Sequence, residues 1–168
     1  MARWSATTLA TWTPVAVADT TSFTAAGYAA IQGGSTTQRV NILEVFMGGQ
    51  AASTSSPAII LLARDLVPGT TLSVGQISAL DASSAALSAP PVSFSTATTE
   101  PKRAVAATTG WLLNLSFNAF GGLVRWVYAP GEEVGLYGNA ATAGEISLSA
   151  FTGGTPGLVG SHLIIEPF

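Results

Sequence analysis

An all-β chain is predicted here: an antiparallel two-sheet sandwich of jelly-roll type, with about eight or nine strands and an N-terminal arm. Three observations predict it. Eighteen glycines and nine prolines are spread through the whole length. The apolar stretches between them are short and rich in Val, Ile, Leu, Phe, Trp and Tyr, which suit a pleated, half-buried surface. In the last third these stretches recur at intervals of about 8 to 15 residues, each closed by a turn signal. With 168 residues the chain has the size of one domain with a real core. The division expected is residues 1–27 as an arm or peripheral strand and residues 28–168 as a single sandwich domain.

Taken in order, residues 1–27 are rich in Thr, Ala and Ser, with Trp4, Trp12 and Phe23 set among them without a period. Large rings on an arm with no core of its own are natural anchors in a neighbour's pocket, so these three are the expected partner-binding residues. "YAAIQG" (28–33) and "RVNILEVFM" (39–47) read as strands separated by a Gly-Gly-Ser-Thr-Thr turn. In the second, alternation sets Val40, Ile42, Glu44 and Phe46 on one face and Asn41, Leu43, Val45 and Met47 on the other. Both faces are mostly apolar, so this strand is expected to be central.

"AIILLARD" (58–65) is a continuous apolar strand, closed by Val-Pro-Gly, a turn that favours glycine at positive φ. Residues 67–110 are the least regular: mostly loop, a helical turn near "ISALDASSAAL" (77–87), and one short strand at 92–95. Then "WLLNLSFNAF", "GLVRWVYA", "EEVGLYG", "EISLSAF" and "SHLIIEPF" follow one another, broken by Gly-Gly, Pro-Gly, Gly-Asn and Gly-Gly-Thr-Pro-Gly. That is antiparallel β with tight turns.

Charged residues make up 9% of the chain, against roughly 25% in an average soluble protein. Lys102 is the only lysine. A surface so poor in charge suits packing against copies of itself or against a partner, because interface cores are depleted of charge. The net charge is -3 and the only basic cluster is Lys102 with Arg103, so nucleic acid is not an expected partner. Without cysteine, disulfides, thiolate metal sites and thiol nucleophiles are all excluded. The first residues lack the apolar region of a secretory signal, so the chain is expected to stay in the cytosol where it is made. The longest strictly apolar run, 58–63, is far below the about 20 residues of a membrane helix, and no membrane association is expected.

Glu132 and Glu133 are the only adjacent carboxylates. Neighbours on a strand point to opposite faces, whereas a glycosidase pair is set about 5 to 10 Å apart across a sugar. After Pro130 and Gly131 the two read as the polar end of a turn. His162 is the only histidine; a Ser/His/Asp triad would need it, but there is no G-x-S-x-G elbow, and it reads as a structural or interface residue. Apart from the Glu132 and Glu133 pair the acids stand far apart in sequence without an EF-hand loop, so no metal and no cofactor are expected. "GGTPGLVG" (153–160) lacks the Lys of a phosphate loop. "NLS" (114–116) matches the glycosylation sequon but falls in a strand expected to be buried. Trp111, Phe117, Phe120, Trp126, Tyr128, Tyr137 and Phe151 read first as core, with an exposed sugar platform as the sharper alternative. No catalytic residue and no enzymatic activity are expected.

"LLNLSFNAFGGLVRWVYAPGEEVGL" (112–136), "SLSAFTGGTPG" (147–157) and the ending "HLIIEPF" (162–168) resemble a group of small proteins from tailed-phage and prophage structural modules. "NILEVFMGGQ" (41–50) and "LARD" (62–65) add weaker similarity. These proteins are similar in size and β-rich character to the jelly-roll cement, or decoration, proteins of icosahedral bacteriophage heads. The resemblance implies a non-enzymatic virion structural protein, assembled in the host cytoplasm. It implies a homotrimer at three-fold positions that clamps major capsid protein subunits by shape and burial. The alternative is a jelly-roll head or tail-fibre domain that binds a receptor or glycan. A cupin-type enzyme would share the fold but needs two or three histidines.

Overall fold

The computed structural model describes residues 2–7, 28–50, 57–67, 69–99, 102–103, 111–118, 120–139, 144–152 and 158–167. Thirteen strands are formed in them: β1 (Trp4–Thr7), β2 (Tyr28–Gln32), β3 (Gly34–Gln50), β4 (Pro57–Val67), β5 (Thr70–Val74), β6 (Gln76–Ala79), β7 (Val92–Thr99), β8 (Lys102–Arg103), β9 (Trp111–Asn118), β10 (Leu123–Val127), β11 (Val134–Asn139), β12 (Glu145–Thr152) and β13 (Leu158–Pro167). Among the described residues there is no helix. Every strand pairing is antiparallel.

The strands form a two-sheet sandwich. The first sheet runs β10-β3-β13-β1-β6, with β11 also on β3; the second runs β5-β7-β2-β12-β4-β8, with β9 also on β4. Val40, Ile42, Val45, Met47, Leu163 and Ile165 from the first sheet meet Ala29, Ile31, Ile146 and Leu148 from the second in one core. Burying side chains of this size stabilises by about 1.5–3 kcal/mol each relative to leaving them in water, which is why the long apolar strands take the centre.

The predicted central strand is β3, but its faces are not the predicted ones. Ile164 pairs with Glu44 while Ile165 pairs with Ile42, leaving Leu43 as an extra residue. This bulge reverses the alternation, so the core side reads Val40, Ile42, Val45, Met47, and Glu44 and Phe46 turn outward. The unpaired Leu43 carbonyl accepts the Tyr128 N–H at 3.0 Å.

Three other expectations are corrected. Residues 70–74 and 76–79 are strands rather than loop, and the short strand expected at 92–95 extends to Thr99 as β7, which raises the strand number above eight or nine. These strands add to the outer ends of both sheets, where an edge strand needs no continuous apolar face and leaves little pattern to read. The 77–87 stretch ends β6 in a turn about Asp81, whose carboxylate accepts the Ser83 N–H at 2.8 Å, not in a helical turn. The expected Gly-Gly-Ser-Thr-Thr turn is reduced to Gly33, since β3 begins at Gly34. There the chain crosses between sheets so tightly that a Cβ on Gly33 would lie 1.8 Å from the Gly138 carbonyl oxygen.

Trp4 is not an arm residue. β1 lies between β13 and β6, and Trp4 and Ala6 are buried in the chain's own core, so Trp4 is no free anchor for a neighbour. Trp12 and Phe23 lie outside the described residues.

Candidate functional site

Three cross-strand rows build the outer face of the first sheet. Leu123, Gly48 and Gly160 stand side by side, then Arg125, Phe46 and His162, then Val127, Glu44 and Ile164. The bulge at Leu43 is what brings Glu44 and Phe46 to this side. Leu123 is 70% exposed and Val127 53%; a Cβ on Gly48 would sit 3.6 Å from the Leu123 side chain, so the leucine lies over a floor of bare backbone. The Arg125 guanidinium is 5.3 Å from the centre of the Phe46 ring, which meets His162 edge-on at 5.4 Å. Arg125 also closes an ion pair of 2.7 Å with Glu44. These rows therefore set the exposed Leu123 and Val127 beside an ion pair that neutralises its own charge, chemistry suited to burial against another protein surface.

Aromatic residues border this face. Phe120 sits at the corner leading into β10, where Asn118 Oδ1 accepts its N–H at 2.9 Å and Gly121 takes a φ of 68°. Phe120, Trp126 and Tyr137 are exposed, against the expectation of core packing: Phe120 lies in the turn before β10, Tyr137 is on the outer side of β11 opposite Arg39, and Trp126 is on β10 at the edge of its sheet. Phe117 and Tyr128 do pack on the core. The Tyr128 hydroxyl is buried without a hydrogen-bond partner, and burial pushes its ionisation up to about 12. The side chains of Trp111 and Phe151 lie outside the described residues. Asn114 and Ser116 of the sequon are exposed on β9 rather than buried.

Glu132 and Glu133 are a turn. The Glu132 N–H reaches the Ala129 carbonyl at 2.9 Å with Gly131 at a φ of 91°, the geometry of Pro-Gly in a type II turn. Glu133 accepts the Gly131 N–H at 2.9 Å. Hydrogen bonds from its own N–H and from Gly131 hold this exposed carboxylate below the usual range.

A different carboxyl pair is brought together by the fold. On the side of the second sheet away from the core, Glu145 on β12 faces Gln32 on β2, and Asp65 on β4 accepts the Ser147 hydroxyl at 2.7 Å. Asp65 is 4% exposed and Glu145 1%. Glu145 Oε2 accepts Gln32 Nε2 at 2.5 Å and the Gly69 N–H at 3.1 Å, while Gln32 Nε2 also donates to the Gly69 carbonyl at 2.8 Å. Burial pushes the Glu145 carboxyl up, against hydrogen bonds from Asp65, Gln32 and Gly69. The two acids are 80 positions apart, and only the β4-β12 pairing unites them. The sequence signal was an acid at each end of a strongly apolar strand, "AIILLARD" and "EISLSAF", where no solvent-facing residue was due.

Among the described residues no group of three or more His, Asp or Glu is placed to hold a metal ion, and no helix is long and apolar enough to cross a membrane. Comparison with family models, with curated proteins and with solved structures finds no match to this chain.

Proposed function

We propose that this protein is a non-enzymatic virion subunit, a cement protein that binds and stabilises the major capsid protein of a bacteriophage head. One observation carries the reading: the stretch that resembles phage structural proteins, 112–136, is also the stretch that exposes Leu123 and Val127 on the outer side of β10, with Phe120 exposed at the corner leading into it. A chain with 9% charged residues that leaves these side chains in water is built to bury them on assembly, at about 25 cal/mol per Å² of apolar area removed. In a homotrimer three weak contacts reinforce one another through effective concentration. The strand order supports the jelly-roll reading: β1-β13-β3-β10 faces β2-β12-β4-β9, with first and last strands adjacent as in two interlocked Greek keys.

Co-sedimentation with capsids of the phage that encodes the chain tests the proposal. Leu123→Asp combined with Val127→Asp is expected to remain folded and to stay in the supernatant. If the double variant saturates capsids at wild-type affinity, this face is not the capsid contact. The exposed rings of Trp126 and Tyr137 favour one second reading, a glycan-binding head or fibre domain. A glycan-array signal abolished by Trp126→Ala, without capsid binding, would put that reading first.

A further inference from the structure

His162, the only histidine of the chain, lies in the middle of the outer face of the first sheet. It stands opposite Phe46 on β3 and Thr7 on β1, partly buried, its ring T-shaped to that of Phe46 at 5.4 Å. The charged and titratable groups that face it among the described residues are few. On β3 the diagonal neighbour is Glu44, whose Oε2 already accepts Arg125 through Nη2 at 2.7 Å and Nε at 2.8 Å. On β10 Arg125 stands beyond Phe46, its guanidinium 5.3 Å from the centre of that ring. On β1 the neighbours are Thr7 and Ser5, and on β6 behind them Gln76 and Ser78, none of which carries a charge. On β13 itself Glu166 is four positions further along, opposite Asn41. From β10 to β6 the row reads Arg125, Phe46, His162, Thr7, Gln76. It holds one cation that is already neutralised and one imidazole with no carboxylate opposite it.

We propose that His162 makes docking of this face pH-dependent: the face is buried against a capsid subunit with the imidazole neutral, and protonation of the imidazole releases it. The inference rests on the reading of this face as the capsid contact. Imidazole is the side chain whose charge changes between about pH 5 and 8. While it is neutral, Arg125 and Glu44 cancel and burial of the face leaves no net charge there. Once protonated it is a second cation, two strand spacings or about 10 Å from Arg125, and its opposite positions, Phe46 and Thr7, cannot balance it. Taking an unbalanced charge out of water opposes docking. The bound state therefore disfavours the proton, which passes to solvent on docking and is taken up again on release. Affinity is full where the free chain's imidazole is neutral, and it falls as pH drops through that titration.

Co-sedimentation with capsids at about pH 8 and about pH 5.5 compares the full-length wild type with His162→Gln, which keeps a polar side chain but cannot charge. The apparent Kd of the wild type is expected to rise about tenfold or more at the lower pH, and that of His162→Gln to change by less than about twofold between the two. Equal pH dependence of the two proteins, or tighter wild-type binding in acid, overturns the proposal and leaves the contact face standing. Absence of wild-type binding at both pH values overturns the reading of the face and the proposal with it. Should His162→Gln fail to fold, calorimetry of wild-type binding near about pH 6 in two buffers of different ionisation enthalpy decides: protons released on docking support the proposal, and docking without proton release overturns it.

Discussion

Arg125 and Glu44 meet at 2.7 Å across the β10-β3 pair, on the sheet face that also exposes Leu123 and Val127. Arg125 is 54% exposed at its side chain and Glu44 only 14%, so solvent screens the pair from one side. Arg125→Ala is therefore expected to cost about 1 kcal/mol or less in urea unfolding, and Glu44→Gln less still, because it leaves no carboxylate unpaired. A loss above about 2 kcal/mol for Arg125→Ala would mean that the pair is far better shielded than a surface pair.

Trp4 and Trp12 should part company. Trp4 packs in the core with Ala6 and strands of both sheets, and Trp4→Ala is expected to cost about 3–5 kcal/mol. Trp12→Ala, on the arm reading, leaves the unfolding midpoint unchanged and weakens capsid binding. Equal effects of the two substitutions on stability would remove the arm reading for Trp12.

Gly33 and Gly131 are constrained by different physics. A Cβ at Gly33 meets backbone at 1.8 Å, which no rotamer change relieves; Gly33→Ala is expected to cost about 3 kcal/mol or to prevent folding. At Gly131 nothing lies within 4 Å but φ is +91°, so Gly131→Ala carries only the left-handed backbone penalty of about 1–2 kcal/mol. Chemical denaturation gives the order directly, and a less stable Gly131→Ala would contradict the crossover geometry at Gly33.

The Tyr128 phenol stays protonated in the folded chain up to about 12, whereas an unfolded tyrosine ionises near about 10. Stability from this group is thus full below about 10 and lost as pH rises through about 12. Phenolate absorbance should show one tyrosine titrating up to about 12, together with unfolding, and lose that component in Tyr128→Phe. Tyr128→Phe should be neutral or stabilising by up to about 1 kcal/mol, because the hydroxyl is buried without a partner. A marked destabilisation would show that the hydroxyl makes a bond in solution.

Much of the fold was legible because alternation and glycine-proline punctuation are local. β4, β9, β10, β11, β12 and β13 all fall on stretches singled out by composition alone, and Glu132 and Glu133 were recognisable as a turn from the preceding Pro-Gly. The strands of 70–74 and 76–79 were not legible, and of β7 only 92–95 was, since runs of Ser, Thr and Ala carry little periodic signal. The faces of β3 were misread for one reason: a single extra residue at Leu43 reverses every side chain after it, and a bulge is fixed by the register against β13.

By itself the sequence determined an all-β chain, poor in charge, turning at Pro130-Gly131 and ending in an apolar strand, since these follow from residue type and near-neighbour spacing. Only the tertiary structure decided that Trp4 is core, that Leu123 and Val127 face water, and that Asp65 joins Glu145. The physical reason is common to all three. Which side of a strand is buried, and which distant strand lies beside it, depend on pairing register and sheet order, and those arise from long-range packing that no local pattern encodes.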